Sequence, residues 1–351
     1  MLEYEVNRPD EAAVHAARAR WDAVAKPLRS LGRLEDMITR IAGIQGTADV
    51  RLSPRCALVF CADHGVVAEG VSQTGQAVTA LVARSIAAGS ANVNLMARSA
   101  DADVFAVDAG MAADVDHPGI IRKKAIYGTR NMAEGPAMAR GEAEAAVQAG
   151  IDLVGDMKAR GYRLIATGEM GIGNTTASAT LCCALLGMAP EEAVGRGAGL
   201  SDAGLLRKRE AVRRALAVNR PDMNDPLDAL SKVGGLEIAA MTGAFLGGMA
   251  YRVPMIVDGT ISATAALVAA RLCPESRDFM LPSHMSRERA MASVMEALEM
   301  RPVIHADMAL GEGTGAVALM PLLDMALSVY GGTHTFESLG MAAYAPQGGE
   351  P

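Results

Sequence analysis

The stretch Arg163-Leu164-Ile165-Ala166-Thr167-Gly168-Glu169-Met170-Gly171-Ile172-Gly173-Asn174-Thr175-Thr176 decides the fold. Its apolar run at 163–167 breaks off at Gly168, a glycine-rich turn follows, and helical periodicity runs over 175–186. A strand that feeds a helix through a tight turn is one half of a parallel βα unit. The same signature recurs at 56–63 before Gly65, 104–108 before Gly110, 255–258 before Gly259, 278–281 before Ser283 and 303–306 before Gly311. Helical periods fill the gaps at 79–97, 141–159, 201–218, 236–249, 262–271, 286–299 and 316–330. The alternation predicts an α/β fold: a doubly wound, mainly parallel six-stranded sheet with flanking helices.

The first fifty residues break the alternation. Helical patterns at 9–24 and 33–44 are separated by Lys26-Pro27-Leu28-Arg29-Ser30-Leu31-Gly32, and no strand precedes them. The expected division is therefore a helical segment over 1–50, a Rossmann-like α/β domain over 51–315, and a C-terminal helix and tail over 316–351. The two ends are expected to meet in a small helical lobe. The tail over 346–351 is short and polar, and is expected to fray.

Composition narrows the function. Half of the 351 residues are apolar, enough for a sizeable core, while only 3% are aromatic, which leaves little for a base-stacking surface. A net charge of −7 disfavours a nucleic-acid partner. Five cysteines, Cys56, Cys61, Cys182, Cys183 and Cys273, form no CxxC pair and read as buried thiols of a reducing compartment. The N-terminus lacks a signal-peptide pattern and no run reads as a membrane span, so a cytoplasmic chain is expected.

In open parallel sheets, ligands bind beyond the carboxyl ends of the strands, so the loops there are the places to look. In the loop at 168–176, Gly171 and Gly173 permit close backbone approach. The helix start supplies free N–H groups, and Thr175 and Thr176 add hydroxyls. This suits a phosphate; the alternative is a plain turn and helix cap. No Lys-Ser/Thr pair follows, and Thr176 replaces the third glycine of the dinucleotide fingerprint. The loop Leu310-Gly311-Glu312-Gly313-Thr314-Gly315 sets a carboxylate between glycines at a helix head, either as a general base or as a partner of the helix dipole. Asp63 and His64 read as an acid–base pair or as turn-closing residues, His284 as a satisfied loop histidine, and Lys208 as a phosphate ligand or a solvated charge. Neither histidine supports a zinc site.

Taken in order, these segments resemble the nicotinate-nucleotide:dimethylbenzimidazole phosphoribosyltransferase family. The similar segments are Lys26-Pro27 with Ser30 to Glu35, Ala62 to Gly65 with Glu69 to Ser72, Val107 to Gly110, and Gly128 to Asn131 with Gly135 to Met138. They continue through Gly168 to Thr176, Gly195 to Gly197, Asp258-Gly259, Ser283-His284 and Leu310 to Gly315. The resemblance covers nearly the whole chain. It implies transfer of phosphoribose from nicotinate mononucleotide to 5,6-dimethylbenzimidazole by a homodimer, with no cofactor and no metal.

By the same resemblance Glu312 is the catalytic base. Glu169, Gly171, Ile172, Gly173, Asn174, Thr175, Lys208, Ser286, Asp258, Leu310, Gly311 and Gly313 line the substrate site, and Ser72 lies beside the base pocket. Ala309 stands where the family carries an Arg, and Ala80 where it carries a Gln. An adenine-like or phenolic acceptor and a non-catalytic nucleotide-binding relative are therefore alternatives. A nicotinamide-dependent dehydrogenase is another, although it lacks the fingerprint.

Overall fold

The computed structural model describes residues 2–332 and 334–345, so the expected fraying at 346–351 lies outside the described residues. The chain opens with helices α1 (Glu11–Ala23) and α2 (Arg33–Gln45), then strand β1 (Arg55–Ala62). Helices α3 (Ala77–Ala87) and α4 (Asn92–Ser99) lead to β2 (Asp103–Gly110) and β3 (Ile120–Arg122). Next come α5 (Arg140–Ala159), β4 (Leu164–Met170), α6 (Asn174–Leu186), α7 (Pro190–Ala193), α8 (Asp202–Asn219), α9 (Pro226–Val233) and α10 (Leu236–Ala250). The chain closes with β5 (Met255–Val257), α11 (Thr260–Leu272), β6 (Met280–Pro282), α12 (Met291–Ala297) and α13 (Thr314–Gly332).

The six strands form one all-parallel sheet in the order β3-β2-β1-β4-β5-β6. The chain winds outward from β1 through β2 to β3, then returns to the other side of β1 with β4 and winds out again to β6. The order reverses between β1 and β4, where a doubly wound sheet opens its ligand crevice. All of β1 is buried, as a strand covered on both faces must be. Its alternate residues divide between two cores: Cys56, Leu58, Phe60 and Ala62 face the layer of α5, α6, α10 and α11. Ala57, Val59 and Cys61 face α2, α4 and α13.

Several elements differ from the sequence reading. The stretch 303–306 forms no strand: the N–H groups of Val303 and Ile304 both donate to the Ser283 carbonyl (3.2 and 3.1 Å), so the chain wraps that residue instead of extending a ladder. Ile304 makes only a single bridge, to His284. The remaining strand is β3, three residues paired in parallel to β2 (Ala106 with Ile120) and too short to read from periodicity. The single helix expected over 79–97 is broken at Gly89-Ser90, where Asn94 takes the Ala91 N–H (3.1 Å) and starts α4.

The terminal helices meet over the second core. Trp21 of α1 packs against Tyr330 of α13, with ring centroids 4.9 Å apart. Glu35 of α2 accepts from Lys26 Nζ (2.7 Å) and the Leu31 N–H (2.9 Å), which pins the 26–32 turn. Helix α13 is long and apolar enough to cross a membrane, yet Val317, Leu319, Met320 and Leu323 are buried against the sheet. Asp324 on its outer side holds the buried Arg55 guanidinium through two 2.7 Å bonds.

Candidate active site

Beyond the carboxyl ends of the central strands, the loops after β4, after β5, after β6 and before α13 enclose a cavity of about 250 Å³. Glu169, Gly171, Ile172, Asn174, Thr175, Asp258, Ser286, Leu310, Gly311 and Glu312 line it, so ten of the expected site residues come together. A smaller pocket of about 80 Å³ shares Gly171, Ile172, Asn174 and Thr175 and adds Ser72, Gly173 and Lys208. Ser72 thus lies at the lysine end of the site. Gly313 lies behind the wall, packed on Gly168. A larger cavity of about 980 Å³ between α2, β6 and α12 contains none of these residues, and the convergence of loop chemistry favours the smaller one.

Glu312 is buried, and its backbone lies in the left-handed region (φ +59°), flanked by Gly311 (+87°) and Gly313 (+85°). A non-glycine residue there costs on the order of 1 kcal/mol, a strain that gathers at functional sites. One carboxylate oxygen accepts the Val93 N–H at the start of α4 (3.1 Å). Among the described residues this is the only hydrogen bond its carboxylate makes, so the group is oriented but not saturated. A Cβ on Gly168 would come within 2.6 Å of the Glu312 backbone, so only glycine lets this loop rest on β4. Val93 carries no polar side chain, and nothing in the sequence marks its amide as the anchor.

Glu169 ends β4 beside Phe60 of β1 and accepts from the Asn174 side chain. Burial pushes its carboxyl up to about 8, with further repulsion from Asp258, Glu237 and Glu312 outweighing the Asn174 bond. It therefore holds a proton at neutral pH. Asp258, raised first by burial, accepts the Ala316 N–H (2.9 Å) at the head of α13 and lies 3.8 Å from His284 Nδ1. Lys208 is also buried; its ammonium donates to Thr175 Oγ1 (2.7 Å), and burial lowers it to about 8. Thr175 supplies one oxygen where a phosphate would supply three.

The remaining expected residues act as supports. Asn131 donates to Glu69 (2.7 Å) and Thr129 Oγ1 accepts the Gly65 N–H (3.2 Å), so the 128–138 loop braces the 63–70 loop. Asp63 accepts the Ala112 N–H (2.8 Å) and His64 pairs with Glu237 (2.8 Å), so the two do not form an acid–base pair with each other. All five cysteines are buried and unbonded to one another. No group of three or more His, Cys, Asp or Glu side chains is placed to hold a metal ion among the described residues.

This geometry has counterparts. A family model described as phosphoribosyltransferase matches residues 6–341. The chain belongs to that phosphoribosyltransferase family. Relatives named nicotinate-nucleotide–dimethylbenzimidazole phosphoribosyltransferase include one from Ruminiclostridium cellulolyticum, 44% identical over 330 residues and 94% of each chain. Another, from Desulforudis audaxviator, is 46% identical over 334 residues and 95% of each. The crystal structure of CobT from Thermus thermophilus superposes with a TM-score of 0.89 at 43% identity, over 94% of this chain and 99% of that one. Membership of a phosphoribosyltransferase family removes the dehydrogenase alternative.

Proposed function

We propose that the protein transfers the phosphoribosyl group of nicotinate mononucleotide to 5,6-dimethylbenzimidazole, releasing nicotinate and giving the inverted α-nucleotide, α-ribazole 5′-phosphate, for the nucleotide loop of cobalamin. The observation that carries this reading is Glu312. It is a buried carboxylate fixed by one helix-terminal amide, on the wall of the cavity whose other end is Thr175, with Lys208 behind it.

Nicotinate leaves from a cationic pyridinium nucleotide and departs with a neutral ring nitrogen, so no general acid is needed. The benzimidazole attacks C1′ through its unprotonated ring nitrogen and must then lose the proton on the other. Glu312 takes that proton, a contribution of about 10²–10⁴-fold. Lys208, the Thr175 hydroxyl and the glycine turn at the head of α6 receive the phosphate, and Ser286 adds a hydroxyl. Protonated Glu169 donates to a ribose oxygen without opposing the phosphate charge. Asp258 and Leu310 complete the walls, and Ser72 lies beside the lysine pocket.

The neutral wall at Ala309 bears on acceptor choice, and a purine or phenol is the second reading it favours. We read residues 1–50 with 316–351 as a small lobe beside the 51–315 body, and the working form as a cytoplasmic homodimer. Exposed Leu81, Leu95 and Met325 offer apolar surface to a second copy. Mixing the protein with nicotinate mononucleotide and dimethylbenzimidazole should yield nicotinate and α-ribazole phosphate in equal amounts. No product with any of a panel of benzimidazoles, purines and phenols would overturn the assignment.

A further inference from the structure

Beneath the glycine turn lies a buried pair that the mechanism above does not use. His64 follows β1 and is 1% exposed; Glu237, in the first turn of α10, is wholly buried. His64 Nε2 and Glu237 Oε1 are 2.8 Å apart, while Glu237 Oε2 has no hydrogen-bond partner among the described residues. A buried carboxyl–imidazole contact is weak support for stability, and a buried polar pair outside the chemistry requires its own explanation.

The surroundings of the imidazole supply one. A Cβ added at Gly171 would lie 3.5 Å from His64 Nε2, and one at Gly173 would lie 3.0 Å from His64 Cβ. A Cβ at Gly235 would come within 2.3 Å of the ring. The imidazole is therefore packed closely on Gly235 and on the turn that lines both cavities, with no room for a side chain at Gly235. Its backbone is fixed as well: the His64 carbonyl accepts from the Gln76 side chain (3.0 Å) and from the Val67 N–H (3.3 Å). Above the ring, the backbone of the turn is held through Ile172 N–H to Thr79 Oγ1 (3.2 Å), Asn174 N–H to the Gly171 carbonyl (3.1 Å) and Thr176 N–H to the Gly173 carbonyl (2.9 Å).

We propose that His64 and Glu237 are a positioning pair, in which Glu237 holds the imidazole as the floor under Gly171 and Gly173 and so fixes the backbone shape that receives the donor nucleotide. This inference rests on the functional reading above for its ligand, but the shape of the turn can be measured without any ligand.

The test combines amide hydrogen exchange of the full chain with steady-state kinetics. In His64→Ala and Glu237→Ala, the Ile172 and Asn174 amides should exchange at least tenfold faster, while amides of α1 keep their wild-type rates. The KM for nicotinate mononucleotide should rise about tenfold, with kcat and the acceptor KM changing less than threefold. His64→Gln, whose amide nitrogen reaches the position of Nε2, should restore most of both. Should His64→Ala not fold, Gly235→Ala displaces the ring without deleting it and should give the same signature. Wild-type exchange in the turn, or equal acceleration in α1, would overturn the positioning role. A wild-type protein that binds no nicotinate mononucleotide would instead remove the functional reading, and the exchange data would still judge the pair.

Discussion

A single methyl group at Gly168 measures how tightly the position of Glu312 is controlled. Gly168 lies within β4, paired with Val59 of β1 and buried, and its backbone conformation admits an L-residue. With Ala in its place, the added Cβ falls 2.6 Å from the Glu312 carbonyl carbon and oxygen and from the Gly313 nitrogen. All three are backbone atoms, so no side chain can rotate aside. To reach an ordinary contact of 3.4 Å, the Glu312 loop must retreat by about 0.8 Å, because the strand is locked in the sheet. Misplacing a reacting group by about 1 Å costs about 10²-fold. Gly168→Ala should therefore lower kcat about a hundredfold while donor affinity, set by the separate 171–175 turn, stays within threefold. Overpacking should also cost about 1–3 kcal/mol, seen as a fall of a few degrees in Tm. Product formation followed by chromatography, with calorimetric titration of nicotinate mononucleotide, gives both quantities. Gly135→Ala, at a position with nothing within 4 Å, is the matched control. A folded Gly168→Ala enzyme with kcat within threefold of wild type would refute the claim that loop placement limits catalysis.

Glu312→Gln keeps an oxygen for the Val93 amide but cannot take a proton, so kcat should fall about 10²–10⁴-fold with Tm nearly unchanged; near-normal turnover would remove Glu312 as base. Glu169, raised to about 8 in the folded state, should lower stability as pH climbs from its ordinary value of 4.5 to 8, by at most about 1.4 kcal/mol per pH unit. Glu169→Gln should therefore be stabilised relative to wild type across that window and level with it below pH 4; thermal melts from pH 4 to 9 with no growing gap would contradict the raised value. Lys208 is lowered to about 8, so donor affinity measured by titration should weaken above pH 8, and Lys208→Met should bind weakly at every pH. A wild-type affinity flat to pH 9.5 would count against a charged Lys208–phosphate contact.

The layer order and the two catalytic-end loops were legible in the sequence because each rests on local chemistry. Alternating strand and helix periods mark βα units, and glycines flanking Glu169 and Glu312 mark tight turns that lead into α6 and α13. Helix α9 was missed: Asp225-Pro226 is a capping signal, but the helix that follows is only 8 residues long and its apolar pattern is too short to read as a period. Strand β3 and the failed strand at 303–306 were not legible. A three-residue strand exists only because β2 offers it an edge, and 303–306 lost its ladder to the Ser283 carbonyl.

What the sequence by itself determined is the sheet class and the glycine turns, properties of residues close together in the chain, while Glu312 was singled out as the candidate base by the family resemblance of the whole chain. The tertiary structure alone decided which groups face one another. It brought Val93 to Glu312 across 219 positions, Lys208 to Thr175 across 33 and Glu237 to His64 across 173. It also raised Glu169 and lowered Lys208, because desolvation depends on what the folded chain packs around a group, and no local pattern encodes that.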